Sequence, residues 1–143
     1  MTQNEHATEY QIPRKLTNQL LHLAQLSPDD EICGLVGSLN GMPRTCYPIA
    51  NIAKEPQQRF FLDAKQQIAA MAQMRKQGED LFAIYHSHPK APAEPSSYDL
   101  EFAVYPKALC LIISLNTKGV LEMRGFKISP QKAEEVVLTL LED

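Results

Sequence analysis

Apolar residues recur along this chain with different periods, and the period changes where Gly, Pro and polar turn residues cluster. The first such segment starts at Pro13, which suits the first turn of a helix, and stops at Ser27-Pro28. Within it, leucines recur every three or four positions, which is the spacing of one helix face. The pattern predicts a helix over 13–26, preceded by a loose N-terminal tail of residues 1–11.

Two apolar runs on either side of Asn40-Gly41 predict a β-hairpin. ICGLVGSL, residues 32–39, is a continuous apolar run of the length of a buried strand. Asn-Gly is the strongest two-residue signal for a tight hairpin turn, so a return strand is expected over 44–49. Residues 50–59 then form a predicted loop, followed by a short extended piece, FFLD, at 60–63.

The rest of the chain alternates helical and strand-like patterns. AKQQIAAMAQMRKQG predicts a helix over 65–77 with Gly78 just past its end. LFAIYHSH (81–88), ALCLIISLN (108–116) and VLEMRGFKI (120–128) predict strands, with a short helix over 97–105 and a turn over 116–119. Ser129 as N-cap and Pro130 at the first helical position predict a terminal helix.

The order of these elements predicts the fold class. Strands and helices are mixed along the chain, which is typical of an α/β domain with a central sheet and helices packed against it. The length of 143 residues corresponds to one ordinary domain. We therefore expect a single domain over residues 12–143.

Composition and charge exclude several function classes. Lys and Arg are scattered and the net charge is -3, so neither a nucleic-acid surface nor an anionic membrane surface is indicated. No apolar run approaches the roughly 20 residues needed to cross a bilayer. The polar N-terminus carries no signal-peptide core, and we expect a cytoplasmic protein.

His86 and His88 are the first candidates for metal chemistry. On a strand, residues two apart point to the same side, so both imidazoles project together at the end of the strand over 81–88. Two neutral imidazoles suit a borderline metal such as zinc. Asp99 is the candidate third ligand, since a loop of ten residues is long enough to fold back. Three protein ligands with an open position are typical of catalytic zinc.

A plain structural interpretation of the same residues is open at this point. Ser96-x-x-Asp99 also matches a capping box, which simply starts a helix. His-x-His at a strand end also occurs by chance. Other hydrolase signatures are absent, among them H-E-x-x-H and G-x-S-x-G. The combination of two histidines, a proline-rich loop and an Asp at a helix start favours a metal site.

Together with an upstream Glu31 in EICGLVG, these motifs resemble those of the JAMM (MPN-plus, Mov34/PAD-1) metalloproteases. The family pattern is a Glu, then H-[ST]-H-P, a short loop and S-x-x-D, and all parts occur here in that order. The resemblance extends over about residues 13–128. It implies a cytidine-deaminase-like layered α/β/α domain with a central mixed β-sheet.

The resemblance also implies the roles of individual residues. His86, His88 and Asp99 would bind zinc, Glu31 would be the general base and acid, and Ser96 would help hold the oxyanion. Elementary chemistry agrees, because zinc lowers the pKa of its bound water towards about 7. A carboxylate must then accept that proton and pass it to the leaving amine.

Substrate expectations follow from the size of the chain. Family members that cut ubiquitin chains carry inserted loops, for which 143 residues leave little room. The chain is more similar to compact bacterial members that hydrolyse an amide bond at the C-terminus of a ubiquitin-like or sulfur-carrier protein. Such an extended tail could add to a sheet edge near residues 50–62, where Phe60 and Phe61 either contact it or pack in the core. The rival hypothesis is a non-catalytic MPN scaffold that binds a protein partner.

Overall fold

The computed structural model describes residues 8–101, 105, 107–116, 121–130 and 132–142. Its strands form one seven-stranded sheet in the order β1-β7-β6-β5-β4-β2-β3. In chain order the elements are β1 (Glu9–Pro13), α1 (Arg14–Gln25), β2 (Cys33–Leu39), β3 (Met42–Ile49), α2 (Ala64–Lys76), β4 (Asp80–His88), α3 (Ser97–Glu101), β5 (Leu109–Ser114), β6 (Glu122–Ser129) and β7 (Lys132–Leu141). The pairs β1–β7 and β4–β5 are parallel and the other pairs antiparallel. The predicted α/β fold with a central mixed sheet is confirmed.

Helices cover both faces of the sheet. Successive side chains on a strand point to opposite faces. On β4, Ala83 and Tyr85 pack with Leu16 and Leu20 of α1. The intervening Ile84 packs instead with the cluster that contains Met74 of α2. His86 follows Ile84 by two residues on the same strand, so its side chain also lies on the face covered by α2.

The β2–β3 hairpin forms as the Asn-Gly signal predicts. Leu39 pairs with Met42 across the turn, and Asn40 and Gly41 have φ angles of 51° and 83°. Positive φ at both positions is the requirement of a type I′ turn. The return strand begins two residues earlier than expected.

The glycine at the start of β2 is required by its neighbour in the sheet. A Cβ added to Gly34 would lie 2.4 Å from the hydroxyl oxygen of Tyr85. Tyr85 is fully buried on β4 and is paired with Gly34 in the register of the two strands. A missing side chain on β2 therefore makes room for a large one on β4.

The helix that precedes β4 also agrees with the sequence. α2 begins after Asp63, whose side chain accepts a hydrogen bond from the backbone N–H of Gln66. It ends before Gly78, whose φ of 72° is the left-handed conformation common just past a helix. Asn51 and Leu62 form an isolated antiparallel bridge, so the short extended piece expected at 60–63 is also present.

The predicted terminal helix is wrong, because residues 132–141 form strand β7. This strand lies between β1 and β6 and pairs with both. Local helix signals at Ser129-Pro130 are overridden by two ladders of backbone hydrogen bonds and by burial of Val136 in the core. Ser129 pairs with Lys132 in a turn that joins β6 to β7.

The expectation of a loose tail through residue 11 is wrong for residues 9–11, which lie in β1. Ile12 is almost completely buried in the core, and β1 pairs in parallel with β7. Residues 1–7 lie outside the described part of the chain. So do 102–104 of the predicted short helix and 117–119 of the predicted turn. No helix among the described residues has the length and apolar composition that crossing a bilayer requires.

Candidate active site

His86 and His88 lie together at the carboxyl end of β4. Their Nε2 atoms are 3.1 Å apart, and both side chains are buried. β5 runs parallel to β4 and ends beside it, with His88 paired to Ser114. The carboxyl ends of parallel strands are a common location for ligand sites in α/β sheets.

Asp99 reaches the two histidines from the first turn of α3. Its Oδ2 atom is 3.1 Å from Nε2 of His86 and 3.3 Å from Nε2 of His88. The same oxygen accepts a hydrogen bond from the backbone N–H of Ser96 at 2.9 Å. The Ser96 hydroxyl accepts one from the N–H of Asp99 at 3.0 Å. The capping box and the approach of Asp99 to the histidines therefore occur together.

The separations within this group match those of zinc ligands. Ligands held tetrahedrally at about 2.0–2.1 Å from zinc lie about 3.3 Å from one another. The three measured separations between the Nε2 and Oδ2 atoms are 3.1, 3.1 and 3.3 Å. The atoms and their spacing fit a zinc ion with three protein ligands.

The tautomer of His88 supports the same conclusion. Its Nδ1 is 2.8 Å from the carbonyl oxygen of Pro92. A carbonyl can only accept, so Nδ1 carries a proton and Nε2 of the neutral ring presents a lone pair. This lone pair faces the Asp99 carboxylate, and two acceptors at that distance require a cation between them. A metal ion or an additional proton satisfies this requirement.

The Asp99 carboxylate is held in its ionised form. Burial would raise its pKa, but the neighbouring His86 and His88 and the N–H of Ser96 outweigh burial, so the pKa lies well below its usual range. Burial lowers the pKa of His86, against the opposing effect of Asp99. Burial lowers the pKa of His88 too, but its hydrogen bonds to Asp99 and the Pro92 carbonyl outweigh burial and raise this pKa. A metal ligand must be a carboxylate or a neutral imidazole, so a metal ion bound here would compete with a proton on His88.

Glu31 lies just before β2, which is antiparallel to β4, so its side chain approaches from the neighbouring strand. One of its carboxylate oxygens lies within 4.8 Å of ring nitrogens of both His86 and His88. Its side chain is buried, and Oε1 has no hydrogen-bond partner among the described residues. Burial raises the pKa of Glu31 to about 8; the charge of His88 opposes this rise and that of Asp99 adds to it. A carboxylate with a pKa near neutrality can exchange a proton readily.

The sequence did not indicate the residues that hold Glu31 in place. The N–H of Ile32 donates to the Ser87 hydroxyl at 2.8 Å, and the N–H of Ser87 donates to the Ile32 carbonyl at 3.1 Å. On the other side, the carbonyl of Glu31 accepts from the side-chain amide of Asn51 at 3.0 Å. The contact between Ile32 and Ser87 could have been suspected from the Ser that lies between the two histidines. Nothing in the sequence near Asn51 or Glu31 predicts the contact between them.

Phe60 is a further neighbour of the histidines. Its ring stacks on His86 with centroids 4.5 Å apart and planes inclined by 23°. Phe60 also lines a mainly apolar cavity of about 280 Å³ that reaches His86 and Asp99. The surroundings on this side of the site are therefore apolar, which strengthens electrostatic interactions within it.

Comparison with known families identifies the chain. The model of prokaryotic homologues of the JAB domain matches residues 13–127. The chain belongs to this family. The match confirms the compact bacterial JAMM-type resemblance indicated by the motifs.

Relatives of the chain include a desampylase and a CysO-cysteine peptidase. Desampylase of Haloferax volcanii is 34% identical over 89 residues, which is 61% of this chain and 64% of that protein. The match thus spans just under two thirds of desampylase. CysO-cysteine peptidase of Mycobacterium tuberculosis is 28% identical over 130 residues, covering 89% of this chain and 88% of the relative.

A solved structure extends the likeness to the whole fold. The solution structure of a protein from Desulfitobacterium hafniense superposes with a TM-score of 0.83 at 30% identity and covers 94% of each chain. The fold of this JAB-family chain is therefore shared over nearly its full length.

Proposed function

We propose that this chain is a zinc-dependent metallopeptidase or isopeptidase that hydrolyses an amide bond at the C-terminus of a ubiquitin-like or sulfur-carrier protein. The observation that carries the proposal is the triangle of His86, His88 and Asp99, with ligand atoms 3.1–3.3 Å apart. The carboxylate of Glu31 lies beside this triangle, within 4.8 Å of the histidine nitrogens.

His86, His88 and Asp99 would hold the zinc ion. When bound there, zinc supplies the Lewis acidity that acidifies a water molecule and polarises a carbonyl group. His88 is oriented for this role by the Pro92 carbonyl, and Asp99 by the N–H of Ser96. Such partners of metal ligands fix both the tautomer and the direction of the lone pair.

Glu31 is the proton carrier in this proposal. It takes the proton of the attacking water and gives it to the leaving amine. Burial raises the pKa of Glu31 to about 8, and the positive charge of a zinc ion beside it would lower this pKa towards neutrality, where a carboxylate can both accept and donate a proton. The Oε1 atom of Glu31 is buried and has no hydrogen-bond partner among the described residues, so it can bond to a water or substrate atom that enters the site.

Ser96 is the candidate donor to the oxyanion. Its hydroxyl oxygen already accepts the N–H of Asp99, which leaves its proton free to donate in another direction. A single oxyanion donor is commonly worth about 3 kcal/mol of transition-state stabilisation.

The substrate class comes from the relatives and from the site itself. The relatives named desampylase and CysO-cysteine peptidase support a hydrolase that acts on a ubiquitin-like or sulfur-carrier protein. An extended C-terminal tail fits a site at a strand end, beside residues 50–62. The same proposal assigns the chain to the cytoplasm. It also treats the chain from β1 onward as one domain with the cytidine-deaminase-like layering.

The two aromatic residues near the site differ in their expected effects. Phe61 is 42% exposed and its ring contacts Tyr98 of α3 edge-on, whereas Phe60 stacks on a proposed zinc ligand. Phe61→Ala is expected to raise KM for a carrier substrate about 3- to 10-fold and to change kcat little, because it removes contact area for the tail. An unchanged KM in steady-state assays of both Phe60→Ala and Phe61→Ala would count against tail binding at this segment.

A panel of fusion substrates tests the proposal as a whole. Small carriers ending in Gly-Gly would be extended by one amino acid or joined to a second protein, and the products would be weighed by mass spectrometry. The zinc-loaded chain is expected to release the free Gly-Gly carrier, the chelated chain to be inactive, and added zinc to restore cleavage. Absence of cleavage of every fusion by the zinc-loaded chain would overturn the proposal.

A further inference from the structure

Asn51 uses all the hydrogen-bonding capacity of its side chain, bonding to Glu31 and to three residues of its own loop. Its Nδ2 donates to the carbonyls of Glu31 and Arg59, each at 3.0 Å. Its Oδ1 accepts from the N–H groups of Ala53 and Phe61, each at 3.0 Å. A side-chain amide offers two donors and two acceptor sites, so the side chain is fully satisfied.

These contacts fix the orientation of the amide. Two carbonyls lie on one side of the group and two N–H donors on the other, so a flipped amide would lose all four bonds. The donor side of the amide therefore bonds to Glu31 and to the loop, whereas the acceptor side bonds only to the loop. The two sides can be separated experimentally.

The loop closed by Asn51, residues 51–62, also holds the other backbone group of Glu31. The N–H of Glu31 donates to the carbonyl of Pro56 at 2.8 Å. Both polar backbone groups of Glu31 are therefore bonded to this loop. Glu31 lies outside the hydrogen-bond ladder of β2, which begins at Cys33, so the loop replaces the sheet at this position.

The far end of the same loop contacts the metal ligands. Phe60 stacks on His86, and the guanidinium of Arg59 lies 4.1 Å from the ring centroid of Tyr98. Tyr98 precedes Asp99 on α3. Asn51 thus joins the backbone of Glu31 to a segment that packs against His86 and against the helix that carries Asp99.

We propose that Asn51 is a positioning residue that sets the Glu31 carboxylate relative to the three metal ligands. Its role in catalysis rests on the function proposed above, but its structural role does not. It acts through the Glu31 carbonyl and through the loop, without touching the reacting atoms. Residues that orient catalytic groups in this way commonly change activity by about 10- to 100-fold.

The experiment compares Asn51→Asp with Asn51→Ala in the zinc-loaded enzyme. The Asn51→Asp change keeps an oxygen to accept from Ala53 and Phe61, but turns a carboxylate oxygen towards the carbonyls of Glu31 and Arg59. The Asn51→Ala change removes both sides. Asn18→Asp, on the exposed surface of α1, is the matched control for the change of charge.

If Asn51 positions Glu31, both Asn51 variants lose about 10- to 100-fold in kcat, and Asn51→Asp keeps zinc content and KM close to wild type. The control keeps wild-type kcat. If Asn51 only closes the loop, Asn51→Asp keeps wild-type kcat and only Asn51→Ala is impaired, which would overturn the proposal. In the Glu31→Gln background, the Asn51→Asp change should leave the Kd for the carrier unaltered; a weakened Kd would also overturn it.

Amide hydrogen exchange provides a readout independent of activity. In Asn51→Asp the N–H of Glu31 is expected to exchange at least about 10-fold faster, while those of Ala53 and Phe61 stay protected. Unchanged protection at Glu31 would overturn the proposal even if no substrate were found. Inactivity of the wild type on every carrier would contradict the proposed function alone.

A measurement on the wild type covers the case in which the variants do not fold. Both side-chain amide protons of Asn51 are donated, to Glu31 and Arg59, and should exchange far more slowly than those of the exposed Asn18. Exchange of the Asn51 protons at the rate of Asn18 would overturn the proposal without any variant.

Discussion

At the scale of single residues, each proposed functional group is oriented by a specific contact. His88 donates to the Pro92 carbonyl, Asp99 accepts from the Ser96 N–H, and Glu31 is held through its backbone. His86 is oriented by the ring of Phe60. Because the partners of His88 and Asp99 are backbone groups, the site depends on loop conformation as well as on side-chain identity.

Asp99→Asn tests which carboxylate is the third ligand. Asp99 lies closest to both histidine nitrogens. Its conversion to a neutral amide is therefore expected to weaken zinc binding more than about 100-fold. Loss of a residue that only orients a metal ligand commonly costs about 10- to 100-fold. Zinc content after dialysis measures this. Asp63→Asn makes the same change at the start of α2 and should keep about one zinc per chain. Full zinc content in Asp99→Asn would instead favour Glu31 as the ligand.

The structure brings together the site residues that the sequence predicts, but the sequence did not indicate the residues that hold them in place. His86, His88, Ser96 and Asp99 lie within one short segment with a recognisable spacing, and Glu31 was added by the family pattern. Asn51, Ser87 and Phe60 act through contacts with residues distant in the chain; Ile32 and Ser87, for example, are 55 positions apart. No local pattern of residue types encodes such contacts.

At the scale of secondary-structure elements, the sequence correctly predicted those whose conformation is determined by their own residues. The leucine spacing of α1, the Asn-Gly turn between β2 and β3, and Gly78 after α2 all agree with the structure. The C-terminal segment was predicted wrongly because its pairing partners, β1 and β6, decide its conformation. Pairing of the two ends of the chain leaves no periodic signature in either one.

Two neighbouring valines of β7 give a matched test of this strand. Val136 is 4% exposed and Val137 is 44% exposed, as expected for opposite faces of a strand. Val136→Ala is expected to lower the free energy of unfolding by about 1–3 kcal/mol, whereas Val137→Ala should change it by less than about 0.5–1 kcal/mol. Chemical denaturation measures both. Equal losses would contradict the assigned faces of β7.

At the scale of the whole molecule, the order of strands creates the site. β2 and β4 are antiparallel, with Cys33 paired to His86, so the start of β2 lies beside the end of β4. β5 ends beside β4, and the connection between them carries α3 and Asp99. Residues 31, 86, 88 and 99 therefore converge at one edge of the sheet. The class of fold was predictable from the sequence, whereas this order depends on long-range pairing.

A buried carboxylate at the opposite end of β4 affects the stability of the whole sheet. The Glu79 side chain is fully buried and accepts hydrogen bonds from Arg44, Thr45 and Tyr47. Burial raises the pKa of Glu79, but these bonds outweigh burial and the pKa lies below its ordinary value. The folded chain therefore binds this proton less readily than the unfolded chain does.

The lowered pKa of Glu79 predicts that the folded chain loses stability in acid. The contribution of Glu79 is fully present above the ordinary Glu pKa of about 4.5 and is lost as pH falls through its lower value in the folded state. Glu79→Gln should lower the free energy of unfolding at pH 7 by about 1–3 kcal/mol. It should also flatten the decline below about pH 4.5. Glu9→Gln, an exposed change on β1, is the control, and identical pH profiles for Glu79→Gln and wild type would contradict the assignment.

The central claim is that three residues hold zinc and Glu31 moves the proton. Glu31→Gln tests it most directly, through metal analysis and cleavage of a carrier fusion by the same purified protein. Glu31→Gln is expected to keep about one zinc per chain and to lose at least about 100-fold in hydrolysis. Zinc retention with wild-type hydrolysis would contradict the role of Glu31, and loss of zinc would contradict its place outside the ligand set.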